Sequence, residues 1–285
     1  MIVDFVRFKA SDGVELQGWL SNTNSKTAVI HIHGMSGNGY ENVFLDYLRE
    51  MYAKNNLSLF AIDTRGRGVS SSFKKGDDWK QGGSCFEIFE ESVHDIYGAL
   101  DYLRALGKTK FILQGHSLGC TKVVNFLVTQ NPADIVKVVL LAPTDMVGWA
   151  ASHPEHAKYL AKAKKLIALG KGDDLVDFKC WVDETPISAK TYPTICEAGS
   201  SADIYCTRTG GVLLGRITIP MVIPYGTEDI GITKIDGSME KWLERVNKFK
   251  NPNTKISVIP GSSHSFRGYE KGLVAVIENF LRVGS

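Results

Sequence analysis

The sequence has no excess of charge of either sign: 33 Lys and Arg stand against 31 Asp and Glu, a formal net charge of +2. That balance argues against a polyanion binder, and no nucleic-acid partner is expected. No apolar run approaches the roughly 18 residues needed to cross a bilayer. The first ten residues carry Asp4 and Arg7 within their apolar stretch, so they lack the unbroken apolar run of a secretory signal. No membrane association is expected, and the expected location is the cytoplasm. Cysteine is sparse and unpatterned. Cys85, Cys120, Cys180, Cys196 and Cys206 are an odd number with no Cys-x-x-Cys pair, which fits neither a disulfide framework nor a zinc ribbon. They read as reduced thiols, used as small apolar side chains. Internal repeats and low-complexity tracts are also missing.

What is present, at 44% hydrophobic and 22% charged residues over 285 positions, is the composition of a soluble globular protein. Short runs rich in Val, Ile and Phe alternate with amphipathic stretches, the pattern of crossover units and a mostly parallel sheet. Strands are expected at Val14 to Leu20, Ala28 to Ile32, Leu57 to Ile62, Phe111 to Gln114, Val136 to Leu141, Met221 to Tyr225 and Ile256 to Ile259. Ile2 to Phe8 should pair with the first of these through the turn Asp12-Gly13. Phe86, Phe89, Val93, Ile96, Leu100 and Leu103 recur three and four apart, one stripe of a helix stopping at Gly107. The last helix should turn Leu273, Val276, Ile277 and Phe280 toward the sheet. The alternation lapses from about Asp145 to Arg216, which implies an insertion. In it Pro154 and Glu155 open a helix running to Leu169, with Leu160, Ala163 and Ile167 inward, and a short helix is expected near Ser188 to Glu197.

The most specific motif is Gly115-His116-Ser117-Leu118-Gly119, at the end of an apolar strand and the start of a helical segment. Such a turn leaves no room for side chains at its glycines and pushes the serine hydroxyl out at a helix N-terminus. There the helix dipole and free N–H groups favour negative charge developing on a bound carbonyl oxygen. A serine hydroxyl is a poor nucleophile without a histidine base and a carboxylate to orient it. Asp229 follows one later strand, with Glu228 as a neighbouring competitor, and His264 follows the next. An oxyanion hole needs two backbone N–H groups, assigned here to Leu118, after the nucleophile, and Met35, in the loop His33-Gly34-Met35-Ser36-Gly37. His31-x-His33 has no further ligand set to support a metal, and neither metal nor cofactor is expected.

Taken together, His33-Gly34, Asp63-x-Arg65-Gly66-x-Gly68, Gly115-x-Ser117-x-Gly119, Gly226-x-x-Asp229 and His264 resemble the α/β-hydrolase superfamily, in its serine esterase-like form with a helical cap. A weaker similarity points to siderophore-esterase-like members. The resemblance implies an α/β-hydrolase fold, a mostly parallel central sheet flanked by helices. Residues 1–144 and 217–285 would form the core and 145–216 the cap. It also implies a structural role for Asp63 to Ser70 and the catalytic set Ser117, Asp229 and His264. The expected function is hydrolysis of a carboxylic ester of a small to medium substrate through an acyl-enzyme intermediate. Thioesterase, amidase and C–C bond hydrolase chemistry use the same residues. A cofactor-independent peroxidase, a slow ligand-binding receptor on the same fold and a scaffold with a vestigial site stay open beside them. Substrate-contacting candidates are Met146, Trp149, Trp181, Tyr192 and Tyr205, with Ile195 and the polar Asp145, Asp183 and Arg208. The expected partner is a small-molecule acyl substrate, with the chain a monomer or homodimer.

Overall fold

The computed structural model describes residues 3–178, 180, 185–205, 213–248 and 250–282. In chain order the first half runs β1 (Asp4–Lys9), β2 (Glu15–Ser21), β3 (Thr27–Ile32), α1 (Phe44–Lys54), β4 (Ser58–Asp63), β5 (Ser71–Lys75), β6 (Asp78–Gly82), α2 (Ser92–Ala105), β7 (Lys110–His116), α3 (Leu118–Thr129) and β8 (Ile135–Leu141). There follow α4 (Met146–Ser152), α5 (His156–Ala168), β9 (Leu175–Asp177), β10 (Ile187–Ser188) and α6 (Tyr192–Cys196). The chain then returns to the sheet with β11 (Met221–Gly226), α7 (Ile230–Asp236), α8 (Met239–Asn247), β12 (Thr254–Ile259) and α9 (Glu270–Arg282).

Eight strands form one sheet in the order β1-β2-β4-β3-β7-β8-β11-β12. β1, β2 and β4 pair antiparallel in turn, and every pair from β4 to β12 is parallel. The central strands are buried on both faces, every residue of β4 and β11 included, which is why they read as unbroken apolar runs rather than alternating ones. Helices cover them. Of the expected stripe, α2 buries Ile96, Leu100 and Leu103 and partly buries Val93, while Phe86 and Phe89 precede the helix; Ala99 is buried beside them. On α9, Leu273, Ile277 and Phe280 are buried and Val276 partly so.

Three elements depart from expectation. α1 buries Phe44, Leu45, Leu48, Met51 and Tyr52 at helical spacing. The β5–β6 hairpin is mostly solvated, burying only Phe73 and Gly82. On α5 the inward residues are Tyr159 and Ala163, with Leu160 and Leu166 packed beside them; Ile167, expected inward, is 43% exposed although it lies one turn beyond Ala163 on the same side, because it falls at the very end of the helix. No helix among the described residues is long and apolar enough to cross a membrane.

Residues between Met146 and Ala202 bury a second apolar cluster, separate from the sheet core. Met146, Ala150, Tyr159, Val176, Ile187 and Ile195 enclose it, and Phe89 and Leu118 from the sheet half complete it. The four described cysteines are buried and free, two of them (Cys180 and Cys196) in this second cluster.

One buried charge fixes the register of the N-terminal half. The Arg65 guanidinium, 3% exposed, donates to Asp95 of α2, Asp12 of the β1–β2 turn and Glu91 at 2.8 to 2.9 Å. These charge-assisted bonds satisfy both the cation and the carboxylates that surround it. α2 also lies so close to β1 that a Cβ at Gly98 would stand 2.2 Å from the Lys9 carbonyl oxygen. Gly98→Ala should therefore push helix and strand apart and destabilise the fold by about 2 kcal/mol, readable as a lower midpoint in urea unfolding. An unchanged midpoint would show that the contact has slack.

Candidate active site

The parallel strands deliver their loops to one edge of the sheet, and the sequence motifs meet there. β7 ends in His116, and Ser117 takes φ 53° and ψ −124° before α3 begins. A serine in that region is strained, and the surroundings hold it. The Ser117 N–H donates to the Leu141 carbonyl and its own carbonyl accepts from the Cys120 N–H, each at 3.0 Å. A Cβ at Gly119 would stand 2.2 Å from the Ile32 oxygen and one at Gly115 would stand 2.5 Å from the Cys120 nitrogen, so neither position accepts a side chain.

Asp229 caps α7. Its Oδ1 accepts from the Gly231 N–H at 2.9 Å, and its Oδ2 accepts from His264 Nδ1 at 2.9 Å. Both oxygens of this 2% exposed carboxylate are thereby used, whereas Glu228 points to solvent. The bond places the His264 ring proton on Nδ1 and leaves Nε2 as an acceptor. The His264 backbone is held in turn: its carbonyl accepts from His116 Nε2 at 3.0 Å. The Ser117 hydroxyl rests 3.4 Å from Thr144 Oγ1 and is not bonded to His264 among the described residues. Thr144 was not anticipated; a threonine after Ala142-Pro143 carries no sequence signature.

The loop after β3 approaches the same point. Gly34 lies so close that a Cβ there would be 3.0 Å from Ser117 Cβ. The Gly34 carbonyl accepts from His33 Nδ1 at 2.7 Å and from the Gly37 N–H at 3.2 Å. That carbonyl and the Met35 N–H belong to one planar trans peptide, so fixing the oxygen on one side directs the N–H to the other. Neither the Met35 N–H nor that of Leu118, the first residue of α3, has a protein acceptor among the described residues. A first-turn helical N–H has no partner within its helix in any case. His33 Nε2 accepts from the Thr64 N–H at 3.0 Å. Asp63 ties down the far end of the loop, accepting from the Gly39 N–H at 2.8 Å. Asp63 to Gly68 thus serves as bracing.

Ser117, His264, Thr144 and Met35 open onto one cavity of about 280 Å³. Met146, Trp149 and Ile230 supply apolar wall, with Thr185 and Glu41 at polar positions. Glu41 was also unforeseen. Its carboxylate accepts from Asn38 Nδ2 at 3.2 Å, has no cationic partner among the described residues, and burial raises its pKa. Met146 and Trp149 are therefore at the cavity as anticipated. Tyr192 and Tyr205 are not: both are fully enclosed, the Tyr192 hydroxyl bonded to His156 Nδ1 at 2.9 Å and the Tyr205 hydroxyl to the Tyr225 hydroxyl at 2.7 Å and the Pro143 carbonyl at 3.1 Å. Ile195 is likewise interior, and Asp145 caps α4 and pairs with Arg245 at 2.6 Å. Trp181, Asp183 and Arg208 lie outside the described residues. Among the described residues no group of three or more His, Cys, Asp or Glu side chains is placed to hold a metal ion.

The family model described as "Serine aminopeptidase, S33" matches residues 23–178. No curated protein matches the sequence. Among solved structures, the ferulic acid-bound Est1E of Butyrivibrio proteoclasticus superposes with a TM-score of 0.65 at 18% identity, covering 96% of this chain and 97% of its own. The α/β hydrolase GrgF of Penicillium sp. sh18 gives 0.71 at 14% identity over 99% and 98%. The esterase PF2001 of Pyrococcus furiosus gives 0.62 at 18% identity over 99% and 91%. At these identities the likeness shows the fold, an α/β-hydrolase fold.

Three enclosed histidines surround the site, and burial is the first cause lowering the pKa of each: to about 4 for His33, where the Lys122 ammonium adds to the effect, to about 3 for His116, and well down for His31. Unfolded, each binds a proton near pH 6.5. The stability they confer is complete above that pH and is lost as the pH falls toward 4, because the unfolded chain then binds more protons. The slope is about 1.4 kcal/mol per pH unit for each histidine. The thermal midpoint should drop steeply between pH 6.5 and 4.5, and a flat profile there would mean that these rings are charged in the fold.

Proposed function

As a member of the serine aminopeptidase S33 family of hydrolases, the chain carries a site from which we propose a serine hydrolase acting on a carboxylic ester of a small to medium substrate. One observation carries the reading: the Asp229–His264 bond of 2.9 Å beside the strained turn that presents Ser117 to a common cavity. Substrate binding turns the Ser117 hydroxyl from Thr144 toward His264 Nε2, a bond that free enzymes commonly leave long. His264 takes the hydroxyl proton as Ser117 Oγ bonds to the acyl carbon. Asp229 keeps the imidazole in the accepting tautomer and stabilises the imidazolium that forms. The Met35 and Leu118 N–H groups receive the negative oxygen. His264 then returns the proton to the leaving alcohol, and a water deprotonated by the same ring releases the acid.

Residues 145–216 act in this reading as the cap. Met146 and Trp149 line the same cavity as Ser117, and its volume of about 280 Å³ suits a short acyl or compact aryl group. An amide bearing an ammonium group is the second reading, supported by the family's description and by the unpaired Glu41 carboxylate in the wall. Thioester and C–C bond cleavage use the same groups.

Exposure of the protein to a fluorophosphonate should add one adduct by intact mass, absent from Ser117→Ala. The same variant should hydrolyse aryl esters at least about 1000-fold more slowly. Turnover retained in Ser117→Ala would overturn the assignment. Ester and amide panels of matched size then separate the two readings.

A further inference from the structure

Ser36, the residue after Met35, holds a backbone conformation that a serine does not favour. Gly34 to Gly37 form a tight turn, closed by the Gly37 N–H donating to the Gly34 carbonyl at 3.2 Å, and the third residue of that turn, Ser36, has φ 55°. Glycine and asparagine are the residues that take such a place most readily. Strained backbone persists where its surroundings over-determine it, and it gathers at functional sites. A serine kept at this position therefore directs attention to its hydroxyl.

The partner of that hydroxyl is Ser84, which follows β6 and is 0% exposed. The Ser84 N–H donates to the Gly68 carbonyl at 2.9 Å, and the Gly68 N–H donates to the Gly37 carbonyl at 3.2 Å, so the two loops are tied together. Ser84 Oγ lies 2.6 Å from Ser36 Oγ. One proton lies between these oxygens, and burial decides which residue supplies it. Ser84 Oγ has no other hydrogen-bond partner among the described residues. Were Ser36 the donor, the Ser84 proton would be enclosed and unpaired, the costly way to leave a hydroxyl. Ser84 therefore donates, and Ser36 accepts with its own proton still to place. Ser36 is half-buried and borders the cavity together with Met35, Ser117 and His264. No protein acceptor among the described residues takes its proton. Accepting from Ser84 also polarises the Ser36 hydroxyl and makes it a better donor. Thr144, another hydroxyl of this cavity, is already engaged with Ser117 Oγ at 3.4 Å.

We propose that Ser36 is a third donor to the substrate's carbonyl oxygen, a side-chain member of the oxyanion hole beside the Met35 and Leu118 N–H groups, with Ser84 holding it in aim. The inference rests on the serine hydrolase reading and on Met35 as an oxyanion donor. As Ser117 Oγ bonds to the acyl carbon, the carbonyl π pair moves onto oxygen. Two N–H groups fixed by the backbone meet that charge, and one O–H that rotates about its C–O bond follows the oxygen as the carbon becomes tetrahedral. A planar ester oxygen carries less charge, so the Ser36 bond is strongest in the transition state and its loss falls on kcat rather than KM.

The test uses the full chain as wild type, Ser36→Ala, Ser84→Ala and Ser36→Ala/Ser84→Ala, with steady-state hydrolysis of an aryl ester and the rate of fluorophosphonate labelling as readouts. Ser36→Ala should lower kcat and the labelling rate by about 100-fold, with KM within about threefold. The double variant should show the same loss; it leaves no enclosed, unpaired Ser84 hydroxyl and replaces Ser36→Ala if that fails to fold. Ser84→Ala leaves Ser36 its proton and should cost no more than about fivefold, the worth of one orienting hydrogen bond. A pair that merely braced the loop would lose as much when broken from either side. Equal losses in Ser36→Ala and Ser84→Ala, wild-type kcat and labelling in Ser36→Ala, or a raised KM with kcat kept would each overturn the proposal. If wild type neither hydrolyses esters nor takes the label, the hydrolase reading fails and this inference with it; an active wild type beside an equally active Ser36→Ala sinks this inference alone.

Discussion

The backbone at Ser117 is the constraint around which the rest of the site is arranged. A serine at φ 53° is unfavourable in isolation, and it persists because strand, helix and the neighbouring strand all fix it. β8 accepts its N–H, α3 begins on its carbonyl, and Gly119 packs directly on β3. Each of those partners is part of the parallel sheet or its crossover. The strain is therefore borne by the most buried part of the molecule, and the hydroxyl stands at the sheet edge with little freedom to relax.

Around that turn, polar groups are used as struts. Asp63 holds Gly39, His33 holds Gly34, His116 holds the His264 carbonyl, and Arg65 binds three carboxylates from three segments. Nearly all are buried, where a hydrogen bond is strong and a missing partner is costly. This edge of the sheet is thus a hydrogen-bonded frame carried by an apolar floor, in which side chains far from any substrate decide where backbone N–H groups point.

Much of this frame was legible from the chain alone. The parallel strands announce themselves because burial on both faces demands apolar runs, and Ser117, Asp229 and His264 stand out because each follows such a run in a turn. The β5–β6 hairpin left no comparable trace, since Phe73 is nearly the only side chain it buries. Tyr192 and Tyr205 show a different limit: an aromatic residue in an insertion must be buried somewhere, and composition does not say whether it faces a ligand or its own core. Thr144 and Glu41 were illegible because their importance comes from neighbours distant in sequence. Only the fold brings Thr144 to Ser117 and Glu41 to the same cavity.

The second apolar cluster includes Leu118, whose side chain is wholly enclosed among residues of α4, α5 and α6. Its backbone N–H, meanwhile, faces the cavity in the proposed mechanism. A single residue thus belongs to the hydrophobic interior of the insertion and to the reacting centre of the sheet. In chain order the insertion comes before Asp229 and His264, so the residues that enclose Leu118 are made before the two side chains that would join Ser117 in the proposed mechanism. A substitution that loosens the apolar interior of the insertion should therefore reach the start of α3 through Leu118, although it touches none of the three polar side chains.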